Sequence, residues 1–250
     1  MICKNFKAKN QCMALCLFGA SISFPLELTA AETSLIVNEG GPYHGDEIKA
    51  TGGAGWLGLY QTDGGFELRK VSLNISMAND PVIDEQSDQK SGKLISVVPE
   101  SKQKNIILIK PQKPIALKEG RVDGTLFDAG TVIYPGQSRI VKLGQNYYSL
   151  VGAGEAVLEP GFSEPMIKNY SLNLFFKDVS QLIFSEKEKL GHDGRPQVIW
   201  AGDLDRDGKL DLLLNLTRHY NETRLVLMLS SAKKTGRLLE TIAELSTTGC

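Results

Sequence analysis

From Ser34 onward the chain is a succession of short apolar or alternating runs, separated by Gly, Asp and Asn. Leu73, Ile75 and Met77 alternate with polar or small neighbours, the period of two that a half-buried strand requires. The pattern predicts strands over 34–37, 56–61, 66–76, 93–98, 105–110, 124–127 and 139–143. It continues with strands over 147–151, 155–158, 171–176, 197–200, 210–216 and 223–229. Two stretches are ambiguous. Residues 180–190 read as a short helix, although Leu182, Ile183 and Phe184 also suit a strand, and 238–245 has apolar residues near helical spacing with a Thr and an Ile that leave it ambiguous with a terminal strand. Thr62-Asp63-Gly64-Gly65 carries the chemistry of a hairpin, and Tyr134-Pro135-Gly136-Gln137 that of a type II turn.

Regular β runs with little helical pattern predict a mainly β protein, either a β-sandwich or two small β domains. The polar stretch 79–93 is an exposed loop or hinge, and Pro111, Pro114 and Gly120 interrupt the strand pattern a second time. The expected division is an N-terminal β-rich unit over 32–115 and a C-terminal β-rich unit over 116–250, with a single continuous sandwich as the alternative.

Ahead of these runs, Lys4, Lys7 and Lys9 precede an apolar stretch from Cys12 to Ala20 that continues toward Thr29-Ala30-Ala31. A basic start, an apolar centre and small residues at a cleavage point are the parts of a secretory signal peptide, expected here over 1–31. The stretch is broken by Ser21, Ser23 and Pro25, so no membrane span is expected after cleavage. The expected location is secreted or periplasmic. Taking three Lys and one Glu from totals of 28 basic and 29 acidic residues leaves 25 against 28. Such a balance is not that of a nucleic-acid-binding surface. Cleavage also removes Cys3, Cys12 and Cys16, leaving Cys250 alone, so an internal disulfide is not expected.

The strongest chemical signal is Asp203-Leu204-Asp205-Arg206-Asp207-Gly208-Lys209-Leu210-Asp211. With Asp203 as position one, carboxylates fall at positions one, three, five and nine. Gly208 stands at position six, where a sharp turn is needed, and Lys209 at seven, from which a backbone carbonyl can bind. Calcium takes six to eight oxygens at about 2.3–2.6 Å, which suits closely spaced short carboxylates, whereas Mg²⁺ demands stricter octahedral geometry. A plain Asp-Gly surface turn is the bland alternative, but four Asp so close together repel one another unless a cation or protons intervene. Position twelve is Leu214 where an EF-hand has glutamate, and the flanks read as strands, so the ion would clamp a strand-loop-strand unit. Leu210, Leu212 and Leu214 share one face of the following strand while Asp211 turns the other way, and Arg206 and Lys209 are expected to point outward.

The run Trp200 to Leu214 resembles the calcium-loop repeat of integrin-type β-propellers, known as FG-GAP or VCBS. The resemblance implies Ca²⁺ as the bound ion, with ligands at Asp203, Asp205, Asp207 and Asp211 and at the carbonyl of Lys209. It covers about 20 residues in a single copy, so a full propeller is not implied. The rest of the chain resembles secreted bacterial proteins ending in such a loop.

Other signals are weaker. Gly53-Ala54-Gly55-Trp56-Leu57-Gly58 matches a dinucleotide fingerprint in letters but is followed by a strand pattern rather than a helix. His44, His192 and His219 form no compact zinc series, and Glu47, Asp63, Glu67, Glu155 and Glu164 are dispersed, so no catalytic residue is assigned. Trp56, Tyr60, Tyr147, Tyr148 and Trp200 would make either a sugar platform or core. The leading expectation is an exported, non-enzymatic calcium-binding protein that meets another protein or an envelope component. A carbohydrate-binding module, and a secreted or periplasmic hydrolase with a structural calcium, are the alternatives.

Overall fold

The computed structural model describes residues 33–128, 131–190 and 194–249; the expected signal peptide, His192 and Cys250 lie outside the described residues. The chain is mainly β. Its strands are β1 Leu35–Val37, β2 Gly40–Tyr43, β3 Gly53–Thr62, β4 Gly65–Ala78, β5 Gly92–Val98, β6 Asn105–Lys110, β7 Gly120–Leu126 and β8 Ser138–Leu143. They continue as β9 Asn146–Val157, β10 Met166–Phe176, β11 Val179–Glu186, β12 Gln197–Asp203, β13 Asp211–Asn215, β14 Glu222–Leu229 and β15 Glu240–Thr248.

The larger sheet runs β1-β6-β3-β4-β7-β12-β13-β14-β15, with β5 joining β4 and β2 joining β5. All of its pairings are antiparallel, and β1 comes back beside β15 without backbone pairing, so the sheet is nearly closed. A smaller antiparallel sheet has the order β11-β10-β9-β8. The described residues form one compact unit. The region around residue 115 lies between β6 and β7, and backbone pairing runs across it, because β7 pairs with β4 on one edge and β12 on the other.

Alternation in β13 and β14 explains how one sheet serves two cores. Leu213, Leu225 and Leu227 enter a cluster with Trp56, Leu59 and Leu68, while Leu212, Leu214, Val226 and Met228 enter a second with Leu150, Leu172 and Phe184 of the small sheet. The cross-strand pairs obey the same split: Leu212 faces Met228 and Leu214 faces Val226 on one side, and Leu213 faces Leu227 on the other. Strands buried on both faces read as continuous apolar runs, which is why 210–216 has no clean alternation.

The helical reading of 180–190 is corrected. Residues 179–186 form β11, paired with β10 from Tyr170 opposite Glu186 to Phe176 opposite Val179. Burial of Gln181 and Phe184 against the second core outweighs local preference. Residues 240–248 likewise form a strand, and just ahead of it the Leu238 and Leu239 N–H groups donate to Gln181 Oε1 at 2.7 and 2.9 Å. Both expected turns form. Thr62 pairs with Gly65 across the β3–β4 hairpin, and Gln137 N donates to Tyr134 O at 2.9 Å with Gly136 at φ 79°.

Candidate metal centre

The acidic loop hangs between β12 and β13 at the end of the larger sheet. Gly202, the residue before Asp203, lies so close to β7 that a Cβ there would sit 2.2 Å from Asp123 O and 2.5 Å from the Trp200 ring. Trp200 is fully buried and meets Phe66 edge-on, with ring centroids 6.0 Å apart. This contact fixes where β12 delivers Asp203. Leu204 and Leu210, both buried, pin the two ends of the loop into the cores.

Between these anchors the carboxylates fold the backbone around themselves. Gly208 N donates to Asp203 Oδ2 at 2.9 Å, Asp207 N to Asp205 Oδ1 at 3.2 Å, and Lys209 N to Asp207 Oδ1 at 2.9 Å. Arg206 at φ 64° and Gly208 at φ 80° supply the left-handed turns. Arg206 costs more there than glycine would, and its guanidinium is held by the Lys118 and Glu119 carbonyls at 2.5 and 2.9 Å.

Asp203, Asp205 and Asp211 come together, each offering an oxygen within 4.8 Å of the others. Two ligands on one ion at about 2.4 Å lie no more than about 4.8 Å apart, so this spread fits a single cation. The donor set is oxygen only, which suits a hard ion. Asp203 Oδ1 is buried and has no hydrogen-bond partner among the described residues. Asp211 is fully buried; its Oδ2 accepts from Leu204 N at 2.7 Å and its Oδ1 from Ser230 N at 2.8 Å. Each of those oxygens keeps a further lone pair.

Asp207 is not in this group. Its carboxylate accepts from Ser230 Oγ at 2.9 Å and from the Lys209 ammonium at 2.9 Å. The expected outward-facing Arg206 and Lys209 are both exposed, yet each is engaged, one with the segment before β7 and the other with Asp207.

Electrostatics divide the loop in the same way. Burial raises the Asp211 carboxyl well above the usual range, the Asp205 and Asp207 charges add to it, and the two N–H bonds do not compensate. Burial, then Asp205 and Asp207, also raises Asp203. Asp207 moves the other way: burial opposes ionisation, but hydrogen bonds from Lys209 and Ser230 prevail. The Asp203–Asp211 side is therefore short of positive charge, which a divalent cation would supply.

Ser230 and Ser231, at the end of β14, were not visible as part of the site from the sequence. Ser231 Oγ donates to Asp205 Oδ2, and Ser230 binds both Asp207 and Asp211. They stand 19 to 26 residues from their partners, and a Ser-Ser pair after an apolar run carries no distinctive signal.

The remaining candidates are placed elsewhere. Trp56, Tyr60, Tyr148 and Trp200 are buried and form no platform; Tyr147 is exposed. His44 Nδ1 lies 2.5 Å from Asp80 Oδ2, and His219 is exposed. Glu67 pairs with Arg69, Glu164 with the buried Arg195, and Glu155 accepts from Asn169. Residues 53–58 begin β3. Comparison with protein-family models, with curated proteins and with solved structures found no match to this chain.

Proposed function

We propose that this chain is an exported calcium-binding protein of structural or interaction type, in which one Ca²⁺ ties the 203–211 loop to the end of β14. The observation that carries the reading is the convergence of Asp203, Asp205 and Asp211, together with a buried Asp203 Oδ1 that has no hydrogen-bond partner among the described residues. Asp207 and the Lys209 carbonyl complete the ligand set by rearranging when the ion binds. Calcium is favoured over Mg²⁺ because a loop of short carboxylates and a carbonyl tolerates irregular coordination of six to eight oxygens. Export is supported by the basic, apolar and small-residue succession at the N-terminus. Partners are another protein or an envelope component, met by the β surface, and the ion's task is to hold that surface in shape. A dissociation constant of about 10⁻⁴ to 10⁻³ M is expected for such an extracellular module.

Isothermal titration with CaCl₂ and MgCl₂ tests the assignment. One calcium per chain, with magnesium at least tenfold weaker and calcium binding lost in Asp205→Ala, is the expected result. Equal binding of both metals, or none of calcium, contradicts it.

A further inference from the structure

A second site lies on the larger sheet, away from the acidic carboxylates. A cavity of about 410 Å³ is lined by Leu57, Val71, Val98, Pro111 and Leu117, with Lys70 as the one charged residue among its described lining. That volume falls within the range of small-ligand sites, which are largely apolar with few polar groups. Val98 remains 53% exposed in this wall. Trp56 also lines the cavity and has a buried indole N–H with no acceptor among the described residues. Outside the lining, the Lys110 ammonium lies 5.8 Å from the Trp56 ring centre. Among the described residues Lys70 is held only by an exposed pair with Glu119 at 2.8 Å, which another carboxylate can replace at little cost.

We propose that this cavity binds a small amphiphilic anion, with an apolar body against Leu57, Val98 and Leu117 and a carboxylate head at Lys70. The size favours one small molecule over a protein segment, and the charge favours an acid over an amine.

The cavity is also tied to the acidic loop. Residues 111–119 connect β6 to β7 and form one wall through Pro111 and Leu117; the end of this strap is held by Arg206, from between Asp205 and Asp207. An ion that orders the loop therefore orders the wall, a linkage that rests on the calcium reading above. By reciprocity the anion then raises calcium affinity by the same factor.

Calorimetric titration of the full purified chain with octanoate, octanol and octylamine, in calcium and in EGTA, tests both statements. Octanoate is expected to bind at least tenfold more tightly than octylamine, and about threefold more tightly in calcium than in EGTA. Val98→Glu and Ser72→Trp, which charge or fill the cavity, are each expected to weaken octanoate at least tenfold while leaving the melting temperature near that of the parent. Arg206→Gln, at calcium concentrations that saturate the variant, is expected to lose the calcium dependence of octanoate binding. Unchanged octanoate binding in both cavity variants, or octylamine binding as tightly as octanoate, overturns the site. Calcium dependence surviving in Arg206→Gln overturns the linkage. If the calcium assignment itself fails, octanoate binding in EGTA and its sensitivity to Ser72→Trp still stand.

Discussion

Asp211 and Ser230, 19 residues apart, are joined by a 2.8 Å hydrogen bond from the Ser230 backbone N–H to Asp211 Oδ1, while Asp211 Oδ2 takes the Leu204 N–H. One buried carboxyl thus connects the start of the loop, β13 and the end of β14. Removing it leaves two N–H groups without acceptors. Asp211→Ala is expected to lower the unfolding free energy by about 1–3 kcal/mol even without metal, the cost of leaving buried N–H donors unsatisfied. Asp211→Asn keeps the shape and one acceptor and is expected to lose less. Urea unfolding of the three proteins in EGTA checks the order.

The approach of β12 to β7 makes a second prediction. Gly202→Ala places a methyl against Asp123 O and the Trp200 ring, neither of which can yield without moving buried structure. A loss of about 1–3 kcal/mol is expected from overpacking of this kind. Gly208→Ala meets no atom within 4 Å and is penalised only by its φ of 80°, at about 1 kcal/mol. Thermal melting in EGTA is expected to rank Gly202→Ala below Gly208→Ala.

A third prediction concerns pH. The hydrogen bond that His44 donates to Asp80 raises the His44 imidazole against the opposing effect of its own burial, and the same bond lowers the Asp80 carboxyl. A raised histidine stabilises the fold below its unfolded value near 6.5, and that contribution is lost as pH rises through the raised folded value. The lowered Asp80 contributes above about 3.8, and its share is lost as pH falls through the folded value. His44→Gln is expected to flatten the fall in melting temperature above pH 6.5 without altering any response to calcium. A parent and a variant with parallel profiles from pH 6 to 9 would contradict this.

The strands were legible wherever short apolar runs met clear turns: β6 occupies the expected 105–110, and β4 extends the expected 66–76 by a residue or two at each end. Leu210, Leu212 and Leu214 were placed on one face from parity alone, and they do share one core. Residues 180–186 were not legible, because their apolar spacing fits either period and pairing with β10 decides between them. β2, Gly40–Tyr43, was hidden by its two glycines and a proline, which are poor strand formers. Within the site, the carboxylates could be read because they are close in sequence. The Ser230 and Ser231 contacts and the Arg206 clamp on the Lys118 and Glu119 carbonyls depend on how β14 and the 111–119 strap pass the loop, and no local pattern encodes that.

The Ser231 contact yields a fourth prediction. Its hydroxyl holds Asp205 from outside the loop, so Ser231→Ala frees that carboxylate to swing into solvent. Calcium affinity is expected to fall two- to fivefold, with a smaller change in calcium-free stability than for Asp211→Ala. Calorimetry and urea unfolding on the same sample separate the two effects.

The central claim is tested most directly by thermal melting in 10 mM calcium and in EGTA, for the parent chain and Asp205→Ala. With a dissociation constant of about 10⁻⁴ M, that calcium concentration is about a hundredfold excess and adds about 2.7 kcal/mol. For a chain of this size the parent's melting temperature is expected to rise by about 5–10 °C, while Asp205→Ala stays within about 1 °C in both conditions. Identical melting of the parent with and without calcium would contradict the account.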